Sequence, residues 1–124
     1  MTTQPTPPTW RSAGYPMPVT TAMDFPEFTV LSTIGLVSGV YATSLGFTRG
    51  ITSSFSSLAR GEVTQMTEML AEARHAALGR VIAAAQQEGA NALLAVRFDS
   101  NEVGGQIIEI HCYGTAVVIG AKES

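Results

Sequence analysis

Two histidines, one cysteine and ten carboxylates make up the chain's whole stock of metal-ligating and proton-moving groups. Glu68, Glu72 and His75 recur at a spacing of three and four, and Glu72 with His75 forms a Glu-x-x-His step that sets a carboxylate and an imidazole one helical turn apart. That is metal-ligand spacing. A carboxylate-bridged two-metal site needs a second such step, so symmetry-related copies would have to supply it. The bland reading is a solvated helix face with a local Glu72–His75 ion pair. A second set, Glu109, His111 and Tyr113, occupies alternate positions of one strand and projects to one side. Repeated around a ring axis, this strip would present several histidines to a pore, a small ligand, or zinc or copper. Cys112 points to the other side. The competing reading is a polar layer satisfied by Arg97. No nucleophile elbow, activated cysteine or phosphate-cradling Gly-rich turn with a lysine is present, so catalysis is not expected. No cofactor is expected beyond a divalent metal at one of these two strips.

The elements that must position these residues are a long helix and the strands that return against it. Across 62–88, Val63, Met66, Leu70, Ala73, Ala77, Val81 and Ala84 follow helical spacing and line one face. A second row, Leu78, Ile82 and Ala85 with Met69, Ala76 and Ala83, widens the apolar arc. The helix is therefore expected to be buried on two sides, the second by another subunit, unless the alanines only reflect their helix propensity. Gly89 is the expected left-handed stop, and 91–98 alternates as a strand. Turn chemistry fills 99–105, and 106–120 reads as a longer strand. On that strand Ile108, Ile110, Cys112, Ala116 and Val118 share one face. Glu109, His111, Tyr113, Thr115, Val117 and Ile119 share the other, which turns from polar to apolar along its length. A hairpin that keeps apolar faces together places Arg97 opposite Glu109, Ala95 opposite His111 and Leu94 opposite Cys112.

At 124 residues, with 45% hydrophobic and 14% charged residues, the chain fits one domain at 27–124 preceded by an arm at 1–26. All six prolines precede Glu27, and the arm has no strand or helix period, so an extended segment of mixed polyproline character is expected. Its Trp10 and Tyr15 would dock on a groove of the same or a neighbouring subunit, or else ride on a flexible tail. No secretory signal and no membrane span is evident, which points to a soluble, cytoplasmic protein. The net charge of −3, without a basic cluster, argues against nucleic-acid partners. One cysteine excludes an internal disulfide. Two further short strands are expected at 27–32 and 35–43. The Ser-rich run 44–61 is compatible with a short helix or a connection.

The strings TIGLVSGV (33–40), LAEARHAAL (70–78), GANALLAVRFD (89–99) and YGTAVVI (113–119) resemble, in the same order, the YbjQ family. This is known as a bacterial group of heavy-metal-binding domains of unknown function. The resemblance covers nearly everything from Phe28 to Ile119. It implies an α+β fold with a mostly antiparallel sheet on one long helix, assembled into homo-oligomeric rings, commonly pentamers, some paired face to face. It implies no established enzyme activity. The span ITSSFSSLARGEV departs from the family's Gly-rich, Arg-Ser-Gly-like segment and keeps only Arg60 and Gly61 of it. The expected function is thus a self-assembling ring that partners itself. The alternative is a metal-binding or metal-sensing protein, and an enzyme at a subunit interface stands third.

Overall fold

The computed structural model describes residues 9–44 and 60–122. The element order is α1 (Thr9–Ser12), β1 (Phe28–Ser44), α2 (Arg60–Gln87), β2 (Ala92–Glu102) and β3 (Ile107–Ala121). The three strands form one antiparallel sheet in the order β1-β3-β2. The two short strands expected near the N-terminus are one 17-residue strand, continuous through Gly35, whose φ of 137° suits a residue without a Cβ. The span 45–59, left open between helix and connection, lies outside the described residues.

The helix ends as its sequence dictates. Gly89 takes φ 85°, its N–H donates to the Gln86 carbonyl at 3.0 Å, and the Ala90 N–H donates to Ala85 at 2.9 Å. This pair of bonds is a Schellman stop, which satisfies carbonyls that the last turn leaves without partners.

The chain divides into two compact units. One comprises Met1–Val37, Ile82–Arg97 and Gly114–Ser124. Its core joins Phe25, Ala92, Leu94, Val117 and Ile119, with Phe28, Val30 and Ala95 packed against them. Phe25 meets Phe28 edge to face at a centroid distance of 5.8 Å. Asn91 extends the sheet with its side chain, whose Oδ1 accepts from the Ile119 N–H at 2.7 Å while Nδ2 donates to the Ile119 carbonyl at 3.0 Å. The last stretch of the arm lies along the outer edge of β2. Leu93 N–H donates to Pro18, Thr20 N–H to Leu93, Val96 N–H to Thr20 and Ala95 N–H to Ala22, all at 2.9–3.1 Å. The bridge between Val19 and Leu93 is parallel. Ala95 sits at φ 53°, an unusual value for a residue with a Cβ, and it places an extra residue in β2 where the arm attaches.

One expectation is corrected here. Arg97 does not pair with Glu109; its Nη1 donates to the Thr21 carbonyl at 2.7 Å and to the Val96 carbonyl at 3.0 Å, so it clamps the arm. The apolar end of β3, Val117 and Ile119, packs with this chain's own Phe25 and Phe28.

The other unit comprises Ser38–Val81 and Phe98–Tyr113. Here α2 lies on β1 at its closest point: a Cβ on Gly39 would stand 2.8 Å from the Ala77 carbonyl oxygen and 2.8 Å from the Arg80 Cβ. Arg80 fastens the contact, with Nη1 donating to the Val40 carbonyl at 2.6 Å and the guanidinium 5.4 Å from the Tyr41 ring centroid. Along the whole helix, Ala73, Ala77, Leu78, Val81, Ile82 and Ala85 are buried, whereas Met66, Met69 and Leu70 are half-buried and Ala83 is exposed. Buried positions thus come from both rows, Ala73, Ala77 and Val81 from the first and Leu78, Ile82 and Ala85 from the second.

The two glycines Gly39 and Gly79 respond oppositely to alanine. Gly39→Ala forces helix and strand apart and should lower unfolding stability by about 1–3 kcal/mol. Gly79 faces open space in the helix interior, so Gly79→Ala should raise it by about 0.5–1 kcal/mol. Urea unfolding followed by circular dichroism measures both. In the other unit, Phe25→Ala should cost about 3–5 kcal/mol in the same assay, because Phe25 is a core residue supplied by the arm.

Candidate functional site

The hairpin of β2 and β3 carries the strand set. The Val103 N–H donates to the Ile107 carbonyl at 2.9 Å, so the turn is centred on Gly104 and Gly105, with φ of 82° and 59°. β2 accordingly runs on to Glu102, past the expected end at Phe98. Continued back along the hairpin, this register sets Asn101 opposite Glu109 and Asp99 opposite His111. Glu109, His111 and Tyr113 are half-buried and alternate with buried Ile110 and Cys112, as their spacing requires. The expected pairing was displaced because β2 is longer than its apolar alternation. The four polar residues from Asp99 to Glu102 read as a turn yet continue the strand. The paired glycines after Val103 were the signal for the true turn.

The helix set lies elsewhere. Glu68, Glu72 and His75 are all exposed on α2. The helical spacing stands, but the structure does not gather these residues with Glu109 and His111: among the described residues no group of three or more His, Cys, Asp or Glu side chains is placed to hold a metal ion. Cys112 is fully buried and free, and burial pushes its thiol from 9.0 up to about 11. A thiol held neutral at physiological pH is a poor nucleophile and a poor metal ligand. Among the described residues no helix is long and apolar enough to cross a membrane.

The structure thus defines a small α+β module with one polar strip exposed on a helix and another half-buried on a strand. The chain belongs to the YbjQ family: residues 17–120 match the family described as "Putative heavy-metal-binding". It is 44% identical over 101 residues to a UPF0145 protein of Sulfurisphaera tokodaii, covering 82% of this chain and 89% of that one. A UPF0145 protein of Burkholderia lata is 35% identical over 104 residues, covering 84% of this chain and 87% of that one. One of Methanoregula boonei is 42% identical over 94 residues, covering 76% and 78%. The relatives include archaeal proteins, so the family is not the bacterial group expected from the resemblance. A solved structure of a protein of unknown function from Pediococcus pentosaceus, assigned to the DUF74 family, superposes with a TM-score of 0.57 at 16% identity. It covers 84% of this chain and 98% of that chain, which shows a shared fold.

Burial of Cys112 has a chemical readout. In native protein at pH 8 the thiol should resist iodoacetamide, reacting at least about tenfold more slowly than after denaturation. Because its pKa is raised on folding, the neutral thiol contributes stability that is complete below pH 9 and is lost as the pH rises towards about 11. The Cys112→Ala protein should lack that part of the alkaline decline in a pH series of urea midpoints.

Proposed function

We propose that this chain is a non-enzymatic, self-assembling cytoplasmic module whose copies form a homo-oligomeric ring. The family resemblance implies pentamers or paired pentamers. The observation that carries the reading is β1. This edge strand runs 17 residues without a charged residue or a proline, and it leaves Leu31, Ile34 and Leu36 at 65%, 39% and 77% exposure. Edge strands that remain solitary are blunted by charge, proline or a covering segment. This one carries none of them among the described residues. Burying a leucine of this kind contributes about 1.5–3 kcal/mol, so a second surface over β1 is strongly favoured. The absence of an expected reaction centre rests on the buried, neutral Cys112 and on histidines set apart on helix and strand.

The second reading is a metal-binding protein in which Glu109 and His111, or Glu72 and His75, meet their counterparts from other copies. It is favoured by the half-buried, same-side placement of Glu109 and His111, which Arg97 leaves without an ion pair. Two ligands from each copy would complete a four-coordinate site. Native mass spectrometry of the untagged full-length chain, before and after chelation, separates the readings. A discrete multiple of the 13.0 kDa chain, unchanged by chelator, is expected. A single-chain mass at micromolar concentration would overturn self-assembly. Extra mass lost on chelation and absent in His111→Ala would establish the metal reading.

A further inference from the structure

Residues 18–22 join the edge of β2 in two different ways. At Leu93 the pairing is that of a regular parallel ladder: its N–H donates to the Pro18 carbonyl at 3.0 Å, and its carbonyl accepts from the Thr20 N–H at 3.1 Å. Two residues on, the same ladder would send the Ala95 N–H to the Thr20 carbonyl. Instead the Val96 N–H reaches Thr20 at 3.0 Å and the Ala95 N–H reaches the Ala22 carbonyl at 2.9 Å. The Ala22 N–H turns to Thr20 Oγ1 at 3.0 Å. Two successive N–H groups of β2 therefore face the arm, where strand alternation allows one.

The side chains show the same break. Leu94 and Ala95 both pack in the Phe25 cluster, although neighbours on a regular strand face opposite ways. Ala95 takes φ 53° to do so, a conformation that its Cβ disfavours. Arg97 Nη1 adds its bond to the Thr21 carbonyl at 2.7 Å, so three consecutive carbonyls of the arm are held by three consecutive residues of β2. Strained backbone persists only where surrounding contacts hold it, and here the arm supplies them.

We infer that residues 18–25 are a strap with two states and that Ala95 is its latch. Seated, the strap holds Ala95 at positive φ, satisfies the β2 edge and lays Phe25 on Ala92, Leu94, Val117 and Ile119. Released, it lets Ala95 return to an extended φ, and that relief of strain favours opening. Edge and apolar cluster are then uncovered in one step. The middle of the strap, residues 21–24, is exposed, and the Ala22 N–H keeps its Thr20 Oγ1 partner whether the strap is seated or not. Closure therefore rests on Phe25 as the apolar anchor and on Arg97 as the polar one.

Native-state hydrogen exchange of the full-length protein, read at single amides, tests the strap. The amides of Thr20, Leu93, Ala95 and Val96 should share one protection factor, at least about tenfold below that of Asn91, whose N–H bonds across to Val117 of β3. Ala95→Gly accepts positive φ without strain and should slow exchange at Thr20, Leu93 and Val96 by about two- to fivefold. Arg97 is exposed, so Arg97→Met leaves the core in place; it removes the bond to Thr21 and should speed exchange at all four amides by about two- to tenfold. Four amides that exchange no faster than Asn91, or with unrelated protection factors, overturn the two-state strap. So does an Arg97→Met protein in which Leu93 keeps its rate. An Ala95→Gly protein whose strap amides exchange as fast as wild type, or faster, overturns the latch.

Discussion

The contact between α2 and β1 at Gly39 constrains everything in its unit. Two backbones approach there with no side chain between them, at a separation that an added methyl would bring to 2.8 Å from both the Ala77 carbonyl oxygen and the Arg80 Cβ. Close approach of this kind maximises dispersion contact, and it fixes where the helix crosses the strand. Arg80 then holds the crossing with a hydrogen bond to the Val40 carbonyl and its position over the Tyr41 ring. Ala73, Ala77 and Val81 become core because this crossing turns their side of the helix inward.

In the other unit, cohesion depends on the arm. A Pro-rich segment cannot form an inner strand, since each proline removes a ladder donor. It can serve as an edge when the donors that remain are well placed. Leu93 donates to the Pro18 carbonyl, so a proline takes part as an acceptor, and Thr20 both donates and accepts. Met17 and Phe25 are the arm's buried anchors at 3% and 4% exposure, while Trp10 and Tyr15 are only half-buried. The family match beginning at residue 17 agrees with this packing, because the matched region starts where the arm becomes buried.

These arrangements shape the functional reading. The polar strip of β3 lies in the hairpin and the Glu-x-x-His step on an exposed helix face, so among the described residues no three such ligands are gathered in one place. What the chain does concentrate is uncharged strand edge. On the other side of the sheet, residues 18–22 occupy the β2 edge through backbone hydrogen bonds, which leaves those donors and acceptors satisfied.

Much of the local structure was legible in the residues themselves. Helical spacing from Val63 to Ala84, the glycine stop at Gly89 and the alternation along β3 are set by backbone periodicity and by glycine's access to positive φ. The polar-to-apolar change on the second face of β3 was likewise readable, and burial follows it from Glu109 to Ile119. The spacing of Glu72 with His75 and of Glu109 with His111 was also plain. Pattern alone did not say what covers each face or which residues oppose one another. Phe25 and Phe28 lie on Val117 and Ile119, Arg97 turns to Thr21, and the hairpin register follows the paired glycines Gly104 and Gly105. Those outcomes are non-local: a side chain's partner is chosen by the chain segments that tertiary packing brings beside it. Periodicity carries which way a residue faces, and only the folded arrangement decides what it meets.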